Sequence, residues 1–94
     1  MAWLVVGDDN ERGPAIRANA QIMDAHWQYD LANRHIILAA GSLRDDDGMT
    51  KTGSLLDVAT RAEAEAFFAN DPATKAGMRG TTSIRLSQCR DPEP

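Results

Sequence analysis

Two stretches of this sequence are apolar without alternation. Ala2-Trp3-Leu4-Val5-Val6 closes on Gly7, and His35-Ile36-Ile37-Leu38-Ala39-Ala40-Gly41-Ser42-Leu43 is a second, longer run. A strand with one wet face alternates apolar and polar side chains, whereas an unbroken apolar run marks a strand covered on both faces. The chain has 94 residues, which suits one domain. A domain of that size buries only somewhat over ~60% of its unfolded-chain surface. Two strands that want cover on both sides therefore constrain the fold more than any other feature.

The remaining elements fall around those strands. Pro14 suits the first position of a helix, where its missing N–H costs nothing. Ile16, Ala20, Met23, Trp27 and Leu31 follow at helical spacing, which predicts one helix ending near Asn33-Arg34, with Trp27 in the core-facing stripe. Asn is tolerated in a left-handed C-terminal cap. Asp47-Gly48 predicts a type I′ hairpin leading into a strand over 52–58. Thr60-Arg61-Ala62-Glu63 is a capping box, with Glu63 expected to reach back to the Thr60 N–H. The second helix should run to Asn70 and stop at Asp71-Pro72, since the residue before Pro disfavours helical angles. Residues 81–88 alternate as a last strand, and Arg90 to Pro94 form a polar tail expected to be mobile. The domain is read as residues 1–89 and the tail as 90–94.

The order β-α-β-β-α-β is the α+β, ferredoxin-like arrangement, with both helices on one face of a four-stranded antiparallel sheet. The other face, built on strands that do not alternate, would expose a large apolar patch in a monomer. A second copy related by a two-fold axis covers it most simply, so a homodimer is expected.

Composition excludes several partners. Net charge is −4, and the ten basic residues are spread along the chain. That argues against nucleic acid or an anionic membrane as main partner. No apolar run has the length of a membrane helix, and the N-terminus lacks the basic start of a signal peptide. The single cysteine, Cys89, has no internal partner, which suits a reducing cytoplasm.

The segment Ala25-His26-Trp27-Gln28-Tyr29 followed by Leu38-Ala39-Ala40-Gly41 resembles the first-helix and second-strand signature of YciI-like proteins. Asp47-Gly48 with Thr52-Gly53-Ser54-Leu55, and Asp71-Pro72 with Ala76-Gly77, are similar to that family's hairpin and its acidic-Pro segment. Together these motifs cover residues 2 to about 88. The resemblance implies a dimeric α/β-barrel. It also implies a site with a His from helix one and an acid before Pro, here His26 and Asp71. It further implies acid–base work on small cyclic or chlorinated aromatic breakdown products. One departure stands out: the family has Tyr after the Asp-Pro pair, and here Ala73 and Thr74 follow.

Read from the residues themselves, His26 borders the apolar stripe and titrates near working pH, as a general base or acid requires. The bland alternative is a half-exposed helix histidine. Asp30, four residues on, shares its face and can orient the ring, or is an ordinary i,i+4 neighbour. Asp71 can orient the ring, act as base, or simply stop a helix. Arg79, beside Gly77 and Gly80, and Arg17 can bind an anionic substrate. Ser42, Ser54 and Tyr29 complete the substrate-binding candidates, against plain strand and helix roles. Asp45, Asp46 and Asp47 lack the spacing of a calcium loop and read as a solvated turn. His35 lacks a Cys or His at ligand spacing, so no metal is expected. No glycine-rich phosphate loop occurs, and no cofactor is expected.

Two functions follow. The first is a cofactor-free lyase, isomerase or dehalogenase-like enzyme in which His26 and Asp71 move a proton on a small organic substrate. The second, suggested by the missing Tyr, is a small-ligand-binding or sensor module of the same fold without turnover.

Overall fold

The computed structural model describes residues 2–46, 48 and 50–87. Strand β1 (Ala2–Asp9) leads into two helices, α1 (Gly13–Arg17) and α2 (Ala20–Ala32). A 3₁₀ turn (Arg34–Ile36) enters β2 (Ile37–Arg44), and β3 (Thr50–Leu56) returns. Helices α3 (Arg61–Ala69) and α4 (Pro72–Lys75) precede β4 (Arg79–Ser87). The sheet order is β2-β3-β1-β4 with antiparallel pairing throughout, the ferredoxin-like order. Among the described residues no helix is long and apolar enough to cross a bilayer. The expectations for Cys89, for the 90–94 tail and for Asp47, hence for the Asp47-Gly48 turn type, fall outside the described residues.

The main core lies between sheet and helices. Val5 and Leu56 from the two central strands meet Ala64, Phe67 and Phe68 of α3. The Trp3↔Leu56 and Val5↔Ser54 register sets these side chains on the helix-covered face. A second cluster of Ile16, Ala73 and Met78 ties α1 to α4 and the start of β4. Thr60 caps α3 by accepting from the Glu63 N–H at 3.2 Å. The Glu63 carboxylate reaches the Ala59 N–H at 3.1 Å, one residue earlier than the capping box predicts.

The single first helix expected from the sequence is two helices. Asn19 adopts extended angles and its side chain accepts from the Ile22 N–H, so it caps a new helix and breaks the old one. The break turns the stripe. Helix α2 has no buried residue, and Trp27, expected in the core, is 57% exposed. The helix ends at Ala32, and Asn33 has φ −109°, not a left-handed cap. In the hairpin, the Gly48 N–H donates to the Asp45 carbonyl at 2.9 Å and Gly48 has φ +86°. Gly48 thus has the positive φ that the sequence reading required of it.

The face opposite the helices is apolar. Leu4 pairs with Leu55, Val6 with Gly53, and Gly41 with Gly53 on its other side. The Leu43 side chain lies over Gly53 on this face. Leu4 and Leu43 are 39% and 47% exposed. Strand β2 is almost wholly exposed in the single chain despite its apolar sequence.

Candidate active site

Three segments remote in sequence converge between α2, α4 and β4. Asp71 takes extended angles, as the residue before Pro must, and its side chain caps α4 by accepting from the Ala73 N–H at 3.0 Å. The sequence reading of Asp71-Pro72 as a helix stop missed that Pro72 opens a new helix. Helix α4 closes at Gly77, whose φ of +95° lets the chain turn back into β4, so that Arg79 enters beneath Asp71. The Arg79 Nη2 donates to Asp71 Oδ2 at 3.0 Å, and the two side chains are 6% and 4% exposed.

Asp71 also receives His26. Nδ1 lies 2.8 Å from Oδ1 and 2.9 Å from Oδ2, so the ring donates its Nδ1–H to the carboxylate. That bond fixes the tautomer and leaves the lone pair of the neutral ring on Nε2. Nε2 sits 3.5 Å from Asp30 Oδ2, the i,i+4 neighbour on α2.

The charges hold this arrangement. The hydrogen bond to Asp71 raises the His26 pKa above its ordinary 6.5, outweighing burial, which lowers it; the charges of Asp71 and Asp30 add to the rise. Burial pushes Asp71 upward, but the His26 hydrogen bond, the Ala73 N–H and the positive charges of His26 and Arg79 together bring it below 3.8. Asp30 is raised, chiefly by burial, against the attraction of His26. Asp71 is therefore the standing anion, and His26 is the group whose proton exchange is moved upward by its neighbours.

A cavity of about 460 Å³ opens beside the pair, lined by His26, Asp30 and Arg17 and walled by apolar side chains that include Trp27 and Met78. It lies where α2 stands off from β2. Its shape, mostly apolar with a few convergent polar groups, is that of a small-molecule site.

The expected substrate-binding residues divide. Ser42 lines the cavity. Arg79 also reaches its wall, but its donors are engaged within the protein. Besides Asp71, it bonds Thr52 Oγ1 at 2.8 Å and Thr74 Oγ1 at 3.2 Å, and it stacks 4.7 Å above the Phe68 ring. Each of its nitrogens has a partner within the protein, which makes it a structural cation under Asp71. Tyr29 points elsewhere: its hydroxyl donates to the Phe67 carbonyl at 2.7 Å and its ring stacks on Phe67. Ser54 is buried on the helix-covered face of β3 and is not part of the cavity wall.

Asp9 and Thr52 were not legible as site residues. Asp9 holds Arg17 in a fork, Oδ2 to Nε at 2.6 Å and Oδ1 to Nη2 at 2.9 Å. Thr52 joins Arg17 to Arg79 through one hydroxyl. Only strand pairing brings them together, with Gly7 opposite Thr52 and Asp9 opposite Arg79.

Comparison with known proteins bears on this geometry. No curated protein matches the sequence. Among solved structures, 5-chloro-2-hydroxyhydroquinone dehydrochlorinase from Burkholderia phenoliruptrix AC1100, in complex with 2,5-dihydroxybenzoquinone, superposes with a TM-score of 0.77 at 23% identity. The match covers 94% of each chain, so the two share a fold along nearly their whole length. The sequence profile of the YCII-related domain matches residues 1–86, and the chain belongs to that family.

Proposed function

We propose that the protein is an acid–base enzyme that acts through His26 and Asp71 on a small organic substrate of the aromatic-catabolite kind. The observation that carries this is one contact: a histidine on a cavity wall whose Nδ1–H is held at 2.8 Å by a buried carboxylate. A carboxylate that orients and charges an imidazole is the working half of many proton-transfer sites. With Nδ1 engaged, Nε2 takes a proton from a substrate hydroxyl or activated carbon. The imidazolium so formed lies between Asp71 and Asp30, whose negative charges stabilise it. It then returns the proton at a neighbouring atom or loses it to water. Such a step serves isomerisation, or elimination in which a leaving group departs as the proton is taken. The shared fold with a dehydrochlorinase makes chloride elimination the first reaction to test.

The test is chloride release from 5-chloro-2-hydroxyhydroquinone and related chlorinated hydroquinones under anaerobic conditions. His26→Gln should lower kcat/KM by roughly 10²–10⁴-fold, the usual contribution of a positioned acid–base group. Turnover at the wild-type rate in His26→Gln overturns the proposal.

The same reading includes a homodimer. Leu4 and Leu43 stand exposed on a face that also carries Val6 and Leu55. Full burial of a Leu side chain is worth roughly 1.5–3 kcal/mol, and a twin face of the same kind covers this patch by symmetry.

A further inference from the structure

The cavity's polar groups restrict what it can hold, and this inference rests on the reading of the cavity as the substrate site. Arg79 directs its Nε, Nη1 and Nη2 to Thr74, Thr52 and Asp71. Arg17 differs. Its Nε and Nη2 are clamped by Asp9, and Nη2 also meets Thr52, which fixes the plane of the guanidinium. Its Nη1 has a single long contact, 3.3 Å to Ser42 Oγ, on the exposed side. Both Arg17 and Ser42 line the cavity. The result is an aimed N–H beside a hydroxyl, each able to donate to one oxygen placed between them.

The opposite polar feature is the His26 and Asp30 pair, which accepts protons. Strand β2 runs back along α2 from the 3₁₀ turn, so Ser42 lies about 16 Å along the strand from Ile37, at ~3.3 Å per residue. Ser42 and Arg17 thus occupy the end of the cavity far from that turn. Apolar side chains, Trp27 and Met78 among them, form the walls. A charged donor already fixed in place loses little entropy when it binds, so it favours an anionic acceptor over a neutral one.

We propose that the corner formed by Arg17 Nη1 and Ser42 Oγ is an oxyanion-binding subsite, and that the cavity selects a compact, largely apolar organic anion. The ligand's carboxylate or phenolate oxygen sits at this corner and directs its apolar body along the cavity past His26. Arg17 and Ser42 are binding residues. They take no proton in the reaction.

The experiment compares benzoate with its neutral isostere benzamide, by calorimetric titration and amide chemical shifts of the intact protein at neutral pH. Benzoate should bind at least tenfold more tightly than benzamide. Arg17→Lys should remove most of that preference, while its ammonium still faces Asp9. Ser42→Ala, on an exposed edge strand, leaves the fold intact and should weaken benzoate at least threefold without changing benzamide. Equal affinities for the two probes, no saturable benzoate binding at millimolar concentration, or a Ser42→Ala protein that binds benzoate as the parent does, each overturns the subsite. Turnover of His26→Gln, measured beside the benzoate preference of the parent protein, separates the two readings. Lost anion preference in a protein whose turnover still needs His26 overturns the subsite alone. Intact preference where turnover ignores His26 supports the subsite and overturns the catalytic reading.

Discussion

Replacing Asp71 by Asn removes one negative charge and little else. Asn is as good a helix N-cap as Asp, so the bond from the Ala73 N–H survives. The volume is unchanged. What is lost is the anion under two groups. Arg79, 6% exposed, keeps its Thr52 and Thr74 hydroxyls and the Phe68 face, but the nearest remaining carboxylate oxygen is Asp9 Oδ1 at 4.0 Å. Removing one partner of a buried ion pair costs roughly 3–5 kcal/mol, and the surviving contacts favour the lower end, about 3 kcal/mol. For a domain of this size each kcal/mol shifts Tm by about 4–8 °C, so Asp71→Asn should melt roughly 12–24 °C lower. The assay is thermal unfolding at fixed protein concentration, which holds any association constant. A second readout separates the electrostatic cause from general damage: the His26 ring, followed by NMR titration, should lose the rise that Asp71 gives it. A variant within about 2 °C of the parent, with an unmoved His26 titration, would refute the coupling of the three groups.

Other outcomes follow from the same geometry. His26 has a raised pKa in the folded protein, so its charged form contributes stability that is complete below pH 6.5 and is lost as pH rises through the folded value above it; Asp71, lowered, contributes stability that is present above 3.8 and is lost as pH falls through its folded value. Urea titrations should therefore show a stability step above pH 6.5 that is absent in His26→Gln. Thr60→Ala removes the side-chain acceptor of the Glu63 N–H and should cost about 1 kcal/mol in the same titrations, with Thr60→Ser restoring most of it. Leu43→Glu puts a charge on the apolar face without touching the core, and light scattering should show the mass fall from dimer to monomer; a parent protein that is already monomeric at micromolar concentration removes the basis for the two-fold partner.

The order of strands and helices was legible because each rests on local rules: the two apolar runs, the capping Thr60, the alternation of the last strand. What was not legible depended on contacts made elsewhere. Asn19 reads as one more polar position in a helical stripe. It becomes a break only because its side chain caps Ile22 and the short helix before it is held by Ala73 and Met78. That break lifts α2 off the sheet, and it decides two things at once. Trp27 leaves the core for the mouth of the cavity, and a space opens between α2 and β2. The pairing of His26 with Asp71 was expected from resemblance and chemistry, while Tyr29, three residues from His26, reaches α3 and closes on Phe67.

The polar groups of the site also have an internal logic that no single segment carries. Three acids and two guanidiniums meet here, and Thr52 lies between the two guanidiniums. Arg17 is held by Asp9, and Arg79 by Asp71, so each of these two guanidiniums has its own carboxylate. Asp71 faces two cations at once, Arg79 from below and His26 from the cavity. When His26 is neutral, its Nδ1–H bond, the Ala73 N–H and Arg79 still hold Asp71 ionised. When His26 takes a proton, the new charge finds an anion already in place, with no rearrangement of buried side chains. A preorganised anion of this kind lowers the cost of forming the imidazolium at the moment it is needed. In the proposed reaction Arg79 therefore acts through Asp71, as a positioning residue, and its bonds to Thr52 and Thr74 hold it in that place.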